Sequence, residues 1–122
     1  MIFDAGGQLH VDSKLELLWT NPDPEASFAG DTKVKLNVNA YSCMYIVSTD
    51  AIVCLVITDN TGPYSLYSLG DYGADRRTVN VVDDGLVFDS GMSIGLTWSD
   101  NSITLSDNNK ACVPLYIYGV SK

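Results

Sequence analysis

The sequence predicts an all-β protein, a small antiparallel β-sandwich of jelly-roll-like topology with about eight or nine short strands. Alternation of apolar and polar residues with a period of two dominates the chain, and the 3.6-residue period of a helix is nearly absent. Turn residues recur about every 8–12 positions, which is typical of sandwiches and barrels. The chain has 122 residues, 46% of them hydrophobic, which is enough for one domain with a single core.

The first half of the chain contains four predicted strands. Leu15–Trp19 is the first. In Thr32–Val38 valine and leucine alternate with lysine and asparagine, which predicts a strand with one solvated face. Cys43–Ser48 and Ala51–Thr58 are rich in β-branched residues and flank Thr49-Asp50, so they are predicted to pair as a hairpin. Both strands of this hairpin are expected to be covered on both faces for much of their length.

The second half of the chain predicts further strands separated by polar turns. Asp59–Pro63 carries a strong turn signal, and tight hairpin turns are predicted at Asp83-Asp84-Gly85 and Asp100-Asn101. Gly70–Arg76 is polar and rich in glycine, so it is predicted to be a loop. Pro114 has no N–H to donate, which places it at a sheet edge or a bulge. The predicted strands are Tyr64–Leu69, Thr78–Val82, Leu86–Asp89, Ser93–Ser99, Ser102–Ser106 and the closing strand Cys112–Tyr118.

The chain is predicted to divide into an N-terminal arm and one folded domain. Residues 1–14 are largely polar and contain glycine, so we expect an arm that is flexible or docked on a neighbour. Residues 15–122 are expected to form the sandwich. No basic segment precedes an apolar core at the N-terminus, so no signal peptide is expected. The longest apolar run, Ala51–Ile57, is far too short to span a membrane.

The charge balance argues against nucleic acid as a partner. Seven Lys and Arg against fifteen Asp and Glu give a formal net charge of −8. Such a surface is well solvated and repels phosphate groups. We therefore expect no binding of nucleic acid and no insertion into membranes.

The three cysteines do not suggest a metal site. Cys43 and Cys54 fall within apolar strands, and Cys112 opens the closing strand. The chain has no CxxC motif, and the spacings do not match a zinc site. Buried free thiols are the expected state, with a Cys43–Cys54 bridge across the hairpin as the alternative.

Residues that would support catalysis or metal binding are scarce. His10 is the only histidine, and it lies in the predicted arm. Asp83 and Asp84 are adjacent in a predicted turn, where Asp and Gly serve the backbone. Many Asp and Asn residues lie in loops, but the EF-hand spacing of calcium ligands is missing. We therefore expect no catalytic residues, no cofactor and no metal requirement.

One segment combines aromatic and basic residues in a way that is typical of recognition surfaces. Its members are Tyr64, Tyr67, Tyr72, Arg76 and Arg77. Tyrosine rings can stack on a ligand and arginine can donate two parallel hydrogen bonds, so these five are the candidate recognition or interface residues. Alternatively, the tyrosines fill a subunit interface and the arginines pair with the abundant aspartates.

Two groups of motifs stand at opposite ends of the chain. One comprises Leu18-Trp19-Thr20-Asn21-Pro22 and Ala26-Ser27-Phe28-Ala29-Gly30; the other comprises Arg77-Thr78-Val79-Asn80-Val81 and the ending Tyr116-Ile117-Tyr118-Gly119. Their order resembles a family of small β domains in virion proteins of tailed phages, found on tail tips, fibres and minor structural proteins. The resemblance covers roughly residues 15–120.

The resemblance implies a non-enzymatic structural and interaction module of a phage particle, either tail-associated or a capsid-surface decoration. Its implied partners are copies of itself, as a homotrimer, and other virion proteins, and its implied location is the virion after synthesis in the host cytoplasm. Assembly would also protect apolar strand edges from uncontrolled pairing. The alternative function is a receptor-binding domain that recognises host-surface glycans through Tyr64–Arg77.

Overall fold

The structure, a computed structural model, describes residues 2–3, 9–10, 15–70, 72–97 and 99–122. Residues 15–122 contain two antiparallel sheets, so the predicted all-β sandwich is confirmed. The first sheet has the strand order β3-β12-β5-β6, and the second has the order β11-β10-β8-β9-β4 with β7 also paired to β8. The strands are β1 (Ile2–Phe3), β2 (Leu9–His10), β3 (Leu15–Thr20), β4 (Thr32–Lys35), β5 (Tyr41–Ser48), β6 (Ile52–Ile57), β7 (Tyr64–Gly70), β8 (Gly73–Val82), β9 (Gly85–Phe88), β10 (Met92–Thr97), β11 (Ser102–Asp107) and β12 (Pro114–Ser121).

Strands β1 and β2 pair with each other at the N-terminus. Ile2 lies opposite His10 and Phe3 opposite Leu9. The remainder of the predicted arm over residues 1–14 lies outside the described residues.

The core lies between the inner faces of the two sheets. Alternate residues of each strand point inward, and removing their apolar surface from water stabilises the fold. Two edge-to-face ring contacts, Phe28 with Phe88 and Trp19 with Phe28, extend the core at one side. The inward side chains with no exposed surface include Met44, Ile46, Val56, Leu66, Val79, Leu86, Phe88 and Ile117.

Strand β8 organises the six-stranded sheet. Strand β7 pairs with β8 from Tyr64 opposite Val79 to Gly70 opposite Gly73. On the other side of β8, β9 pairs with its second half and β10 with its first half. The chain passes from β9 to β10 through residues 89–91, which lie beside Arg77.

The prediction that Gly70–Arg76 forms a loop is wrong. Strands β7 and β8 form one hairpin that stays paired to the Gly70–Gly73 pair. Residues Ala74 to Arg76 are held from both sides, by β7 and by β10. Polar and glycine content indicated a loop, but backbone pairing with two neighbours overrides that local preference.

The predicted strand Thr32–Val38 is shorter than its pattern. Val34 and Val38 are buried, in agreement with the predicted alternation. Strand β4 nevertheless ends at Lys35, and Val38–Ala40 forms a 3-10 turn. Alternating burial therefore continues past the last residue that pairs with β9.

Strands β5 and β6 form the predicted hairpin around a turn at Thr49–Ala51. The expectation that both faces are covered is wrong for β6. Val53, Leu55 and Ile57 are 59, 46 and 40% exposed. A β-branched apolar strand looks the same in sequence whether or not its second face has a partner.

The hairpin register excludes a bridge between Cys43 and Cys54. Cys43 lies opposite Ile57, whereas Cys54 lies opposite Ile46. Cys54 is buried on the inner face with Ile46, and Cys43 belongs to the outer face. All three cysteines are free. Burial raises the pKa of the Cys54 thiol, and burial followed by the nearby Asp75 charge raises that of Cys112.

We expect Cys54 and Cys112 to be unreactive in the native protein. Only the thiolate attacks a disulfide reagent, and burial both blocks access and disfavours the thiolate. A Cys43→Ser variant isolates these two thiols, and the release of nitrothiobenzoate from Ellman's reagent measures them. Two thiols should react rapidly in guanidinium chloride and neither should do so in native buffer. Rapid reaction of either thiol in native buffer would contradict this assignment.

Strand β12 lies inside the four-stranded sheet, between β3 and β5. The predicted start at Cys112 is wrong, because Cys112 lies in a turn with φ of 47° and β12 begins at Pro114. The register to β5 shifts between Pro114 and Tyr116. Pro114 therefore lies at a bulge, as its missing N–H predicts.

Candidate interaction surfaces

The five predicted recognition residues fall in different environments. Tyr67 and Arg76 lie opposite each other on the outer face of the β7–β8 hairpin. Tyr72 lies in the turn of that hairpin and is 64% exposed. Tyr64 is partly buried against the core, and Arg77 is completely buried.

The Arg77 guanidinium is surrounded by carbonyl oxygens. Nε donates to the carbonyls of Ala111 and Cys112 at 3.1 and 3.2 Å. Nη1 donates to those of Phe28 and Asp89 at 2.9 and 2.7 Å, and Nη2 donates to that of Asn109 at 3.0 Å. Five backbone carbonyls thus hold one side chain that has five N–H donors.

Arg77 consequently ties three separate segments to strand β8. Its guanidinium carbon also lies 5.5 Å from the centre of the Phe28 ring, a cation–π contact. Burial lowers the pKa of the guanidinium, but arginine still stays charged in proteins. The prediction that Arg77 serves recognition is corrected, because a buried guanidinium bound to five carbonyls is not available to a ligand.

Gly91 allows the backbone to close around Arg77. A Cβ at this position would lie 2.0 Å from the carbonyl oxygen of Asn108 and 2.7 Å from Nη2 of Arg77. Residue 91 therefore has to be glycine for the chain to pass this close. The carbonyl of Gly91 in turn accepts a hydrogen bond from the Asn108 amide at 2.8 Å.

Tyr64 also has a structural role. Its hydroxyl lies 2.9 Å from the carbonyl oxygen of Ile57 and 3.0 Å from that of Asn60, and it donates to these carbonyls. These contacts close the turn between β6 and β7. Tyr64 therefore stabilises the scaffold and presents little of its ring to a ligand.

The outer face of the four-stranded sheet is a continuous apolar surface, here called the apolar face. One row crosses all four strands, in the order Leu17, Tyr118, Tyr45 and Leu55. The Tyr116 and Tyr118 rings lie 6.4 Å apart on this face. Its apolar outward side chains are Leu15, Leu17, Cys43, Tyr45, Val47, Val53, Leu55, Ile57, Tyr116, Tyr118 and Val120, and the polar Thr20 lies beside Tyr116 at its border.

None of these outward positions in the described strands carries a charged residue. A continuous exposed apolar surface of this kind marks an interaction site in soluble proteins, whereas isolated apolar side chains do not. Sequence reasoning missed this surface. The signal was the apolar character of both alternating sets in β5, β6 and β12, which in the β5–β6 hairpin indicated burial on both sides.

The outer face of β7, β8, β10 and β11, here called the mixed face, carries two contrasting rows. One row is apolar and contains Leu69, Ala74, Ile94 and Leu105. The next row contains Tyr67, Arg76, Met92 and Asp107. Nη2 of Arg76 lies 3.5 Å from the sulfur of Met92. The mixed face therefore combines apolar area with one basic and one acidic group.

The described part of the chain has no group of three His, Cys, Asp or Glu residues placed to hold a metal ion. None of its helical segments is long and apolar enough to cross a membrane. No protein-family model, curated protein or solved structure matches the chain. The fold and surfaces define it as a small β-sandwich with an uncharged apolar face.

Proposed function

We propose that this protein is a non-enzymatic structural module of a tailed-phage particle that assembles with copies of itself through the apolar face. The observation that carries the assembly is the uncharged outer surface of the four-stranded sheet. The phage setting, on the tail or the capsid surface, rests on the resemblance of the motifs at the two ends of the chain.

A second copy of the chain is the occupant that best suits the apolar face. Acidic groups elsewhere give the chain a net charge of −8, so copies repel one another over most of their surface. The apolar face lacks that repulsion. Two flat sheet faces can pack about 10 Å apart with interdigitating side chains, as they do inside a sandwich. The resemblance implies a trimer as the closed symmetry.

Light scattering coupled to size exclusion tests this proposal. We expect a mass three times the 13.2 kDa of one chain. Leu55→Lys places a charge on the apolar face, in the edge strand β6, and should give a folded monomer, because burying an unpaired ammonium is costly. Leu69→Lys is the matched control, since Leu69 is 82% exposed on the mixed face, and it should keep the wild-type mass.

A monodisperse wild-type monomer at micromolar concentration would overturn the assembly. A stable dimer that Leu55→Lys dissociates would support the apolar face and correct the trimer. If Leu55→Lys keeps the wild-type mass and the Leu69→Lys oligomer dissociates, the oligomer interface lies on the mixed face instead.

Recognition of host-surface glycans is the second candidate function. The observation that favours it is the direct pairing of Tyr67 with Arg76 on an exposed sheet face. A stacking ring beside a guanidinium donor is a common arrangement for binding polar ligands. If this pair is the binding site, Tyr67→Ala combined with Arg76→Ala, which removes both groups, should abolish adsorption to host cells without changing the oligomer mass.

A further inference from the structure

We propose that a groove on the inner side of the six-stranded sheet binds a neutral oligosaccharide. The groove lies behind the mixed face, on the opposite side of strands β7, β8, β10 and β11. This inference rests on glycan recognition, the second candidate function, and moves its site from the Tyr67–Arg76 pair to the groove.

The groove exists because inward-facing residues in this half of the sheet are small or polar. Gly70, Gly73, Gly95 and Thr104 form one row across the four strands. Ser68, Asp75, Ser93 and Ser106 form the next row. Apolar core residues take the equivalent inward positions in the other half of β8. The resulting open volume is about 500 Å³, within the usual range of small-molecule sites of about 300–1,000 Å³.

The polar row is held in position by a chain of hydrogen bonds. Nδ2 of Asn108 donates to Oγ of Ser93 at 2.9 Å, and Oγ of Ser93 donates to Oδ1 of Asp75 at 2.7 Å. A carboxylate has about four acceptor positions, and Ser93 uses one. Asp75 therefore keeps a fixed orientation and further capacity to accept hydrogen bonds from a ligand.

The charges around the groove select the class of ligand. No Lys or Arg is among the described residues that line it. Arg76 points to the opposite face, and Arg77 is committed to backbone carbonyls. An anionic ligand would meet the carboxylate of Asp75 without a compensating cation. Sugar hydroxyls instead match an acceptor carboxylate and the serine and threonine hydroxyls.

Tyr72 lies among the residues that line the groove and is 64% exposed, so we assign its ring the role of a stacking surface at one end of the groove. An apolar ring surface beside a few convergent polar groups is the usual composition of small-molecule sites. A sugar ring has both an apolar surface and a rim of hydroxyls, so it fits this combination. A purely apolar ligand would leave the polar row unpaired.

Gly95 offers a direct way to block the groove. A Cβ at this position would meet nothing within 4 Å, and its backbone lies outside the left-handed region. A side chain there would start in open space on the groove side of β10. Gly95→Leu is therefore expected to fold normally, because leucine suits a β-strand better than glycine does.

The experiment is a titration of the ¹⁵N-labelled full chain, in separate samples, with cellohexaose, maltohexaose and chitohexaose. At least one of them should shift the amides of Ser68, Asp75 and Ser93 saturably, with a Kd of about 1 mM or below. Gly95→Leu should weaken that Kd at least about tenfold. Thr97→Leu is the matched control, because Thr97 is exposed on the same strand and side but lies outside the groove. Thr104→Val, which removes one hydroxyl at nearly constant size, should also weaken binding.

Three results would contradict the proposal that the groove binds an oligosaccharide. The first is the absence of saturable shifts with all three sugars, which also removes support from glycan recognition. The second is unchanged binding in Gly95→Leu combined with loss in the Tyr67→Ala, Arg76→Ala variant, which keeps glycan recognition and returns it to the mixed face. The third is a change in the chemical shifts of the groove amides when the protein is diluted without sugar, which would show that a second copy of the chain occupies the groove. Assembly through the apolar face is judged independently by the mass.

Discussion

Replacing Arg77 with methionine should destabilise the domain by about 3–5 kcal/mol. Methionine fills a similar space but removes the donors of five backbone carbonyls, of which that of Asn109 keeps the Phe28 amide as a partner. Each buried polar group left unpaired costs about 1–3 kcal/mol, reduced where water or local movement restores a partner. Urea unfolding followed by circular dichroism measures the loss, and a fall in Tm of about 10–20 °C should accompany it.

Two further variants test whether the geometry of the guanidinium, rather than its charge alone, is responsible for the stability that Arg77 contributes. Arg77→Lys keeps the charge, but a single ammonium group cannot reach carbonyls spread around a planar fork. It should therefore recover only part of the loss. Arg76→Met is the matched control, because Arg76 lies on the outer face, and it should change stability by no more than about 0.5 kcal/mol. A loss below about 1 kcal/mol in Arg77→Met would show that the segments are held by other contacts.

Truncation of Ile117 to alanine should cost about 2–5 kcal/mol in the free energy of unfolding. Ile117 has no exposed surface, and its strand lies between β3 and β5. The variant loses buried apolar area and leaves a cavity that strands paired on both sides cannot easily collapse to fill. Leu69→Ala is the control, since Leu69 is exposed on the mixed face. A loss below about half a kcal/mol for Ile117→Ala would show that the strand is peripheral to the core.

The features that the sequence predicted correctly depend on neighbouring residues along the chain. The turns at Asp83-Asp84 and Asp100-Asn101 were predicted from residues that favour tight hairpins. Period-two alternation placed most strands within one or two residues. The missing N–H of Pro114 predicted a sheet edge or a bulge, and the register shift at the start of β12 is such a bulge. These are local chemical facts, so no knowledge of the tertiary arrangement was needed.

The candidate surfaces were less predictable. Arg77 was grouped with Tyr67 and Arg76, which lie on the outer face, although it shares the inward alternation of Val79 and Val81 in the same strand. That alternation was a usable signal. A charged residue at an inward position, however, is recognisable as buried only when its partners are known, and those partners are carbonyls between 12 and 49 residues away.

The sequence by itself determined the all-β class, most hairpins and the net charge of −8, because alternation, turn chemistry and charge are properties of the chain. The tertiary structure decided which faces are covered. Strand β6 has apolar residues on both sides, and only the packing of the two sheets leaves Val53 and Leu55 outside. The groove behind the mixed face arises likewise, because residues from four strands form it only once those strands are in register.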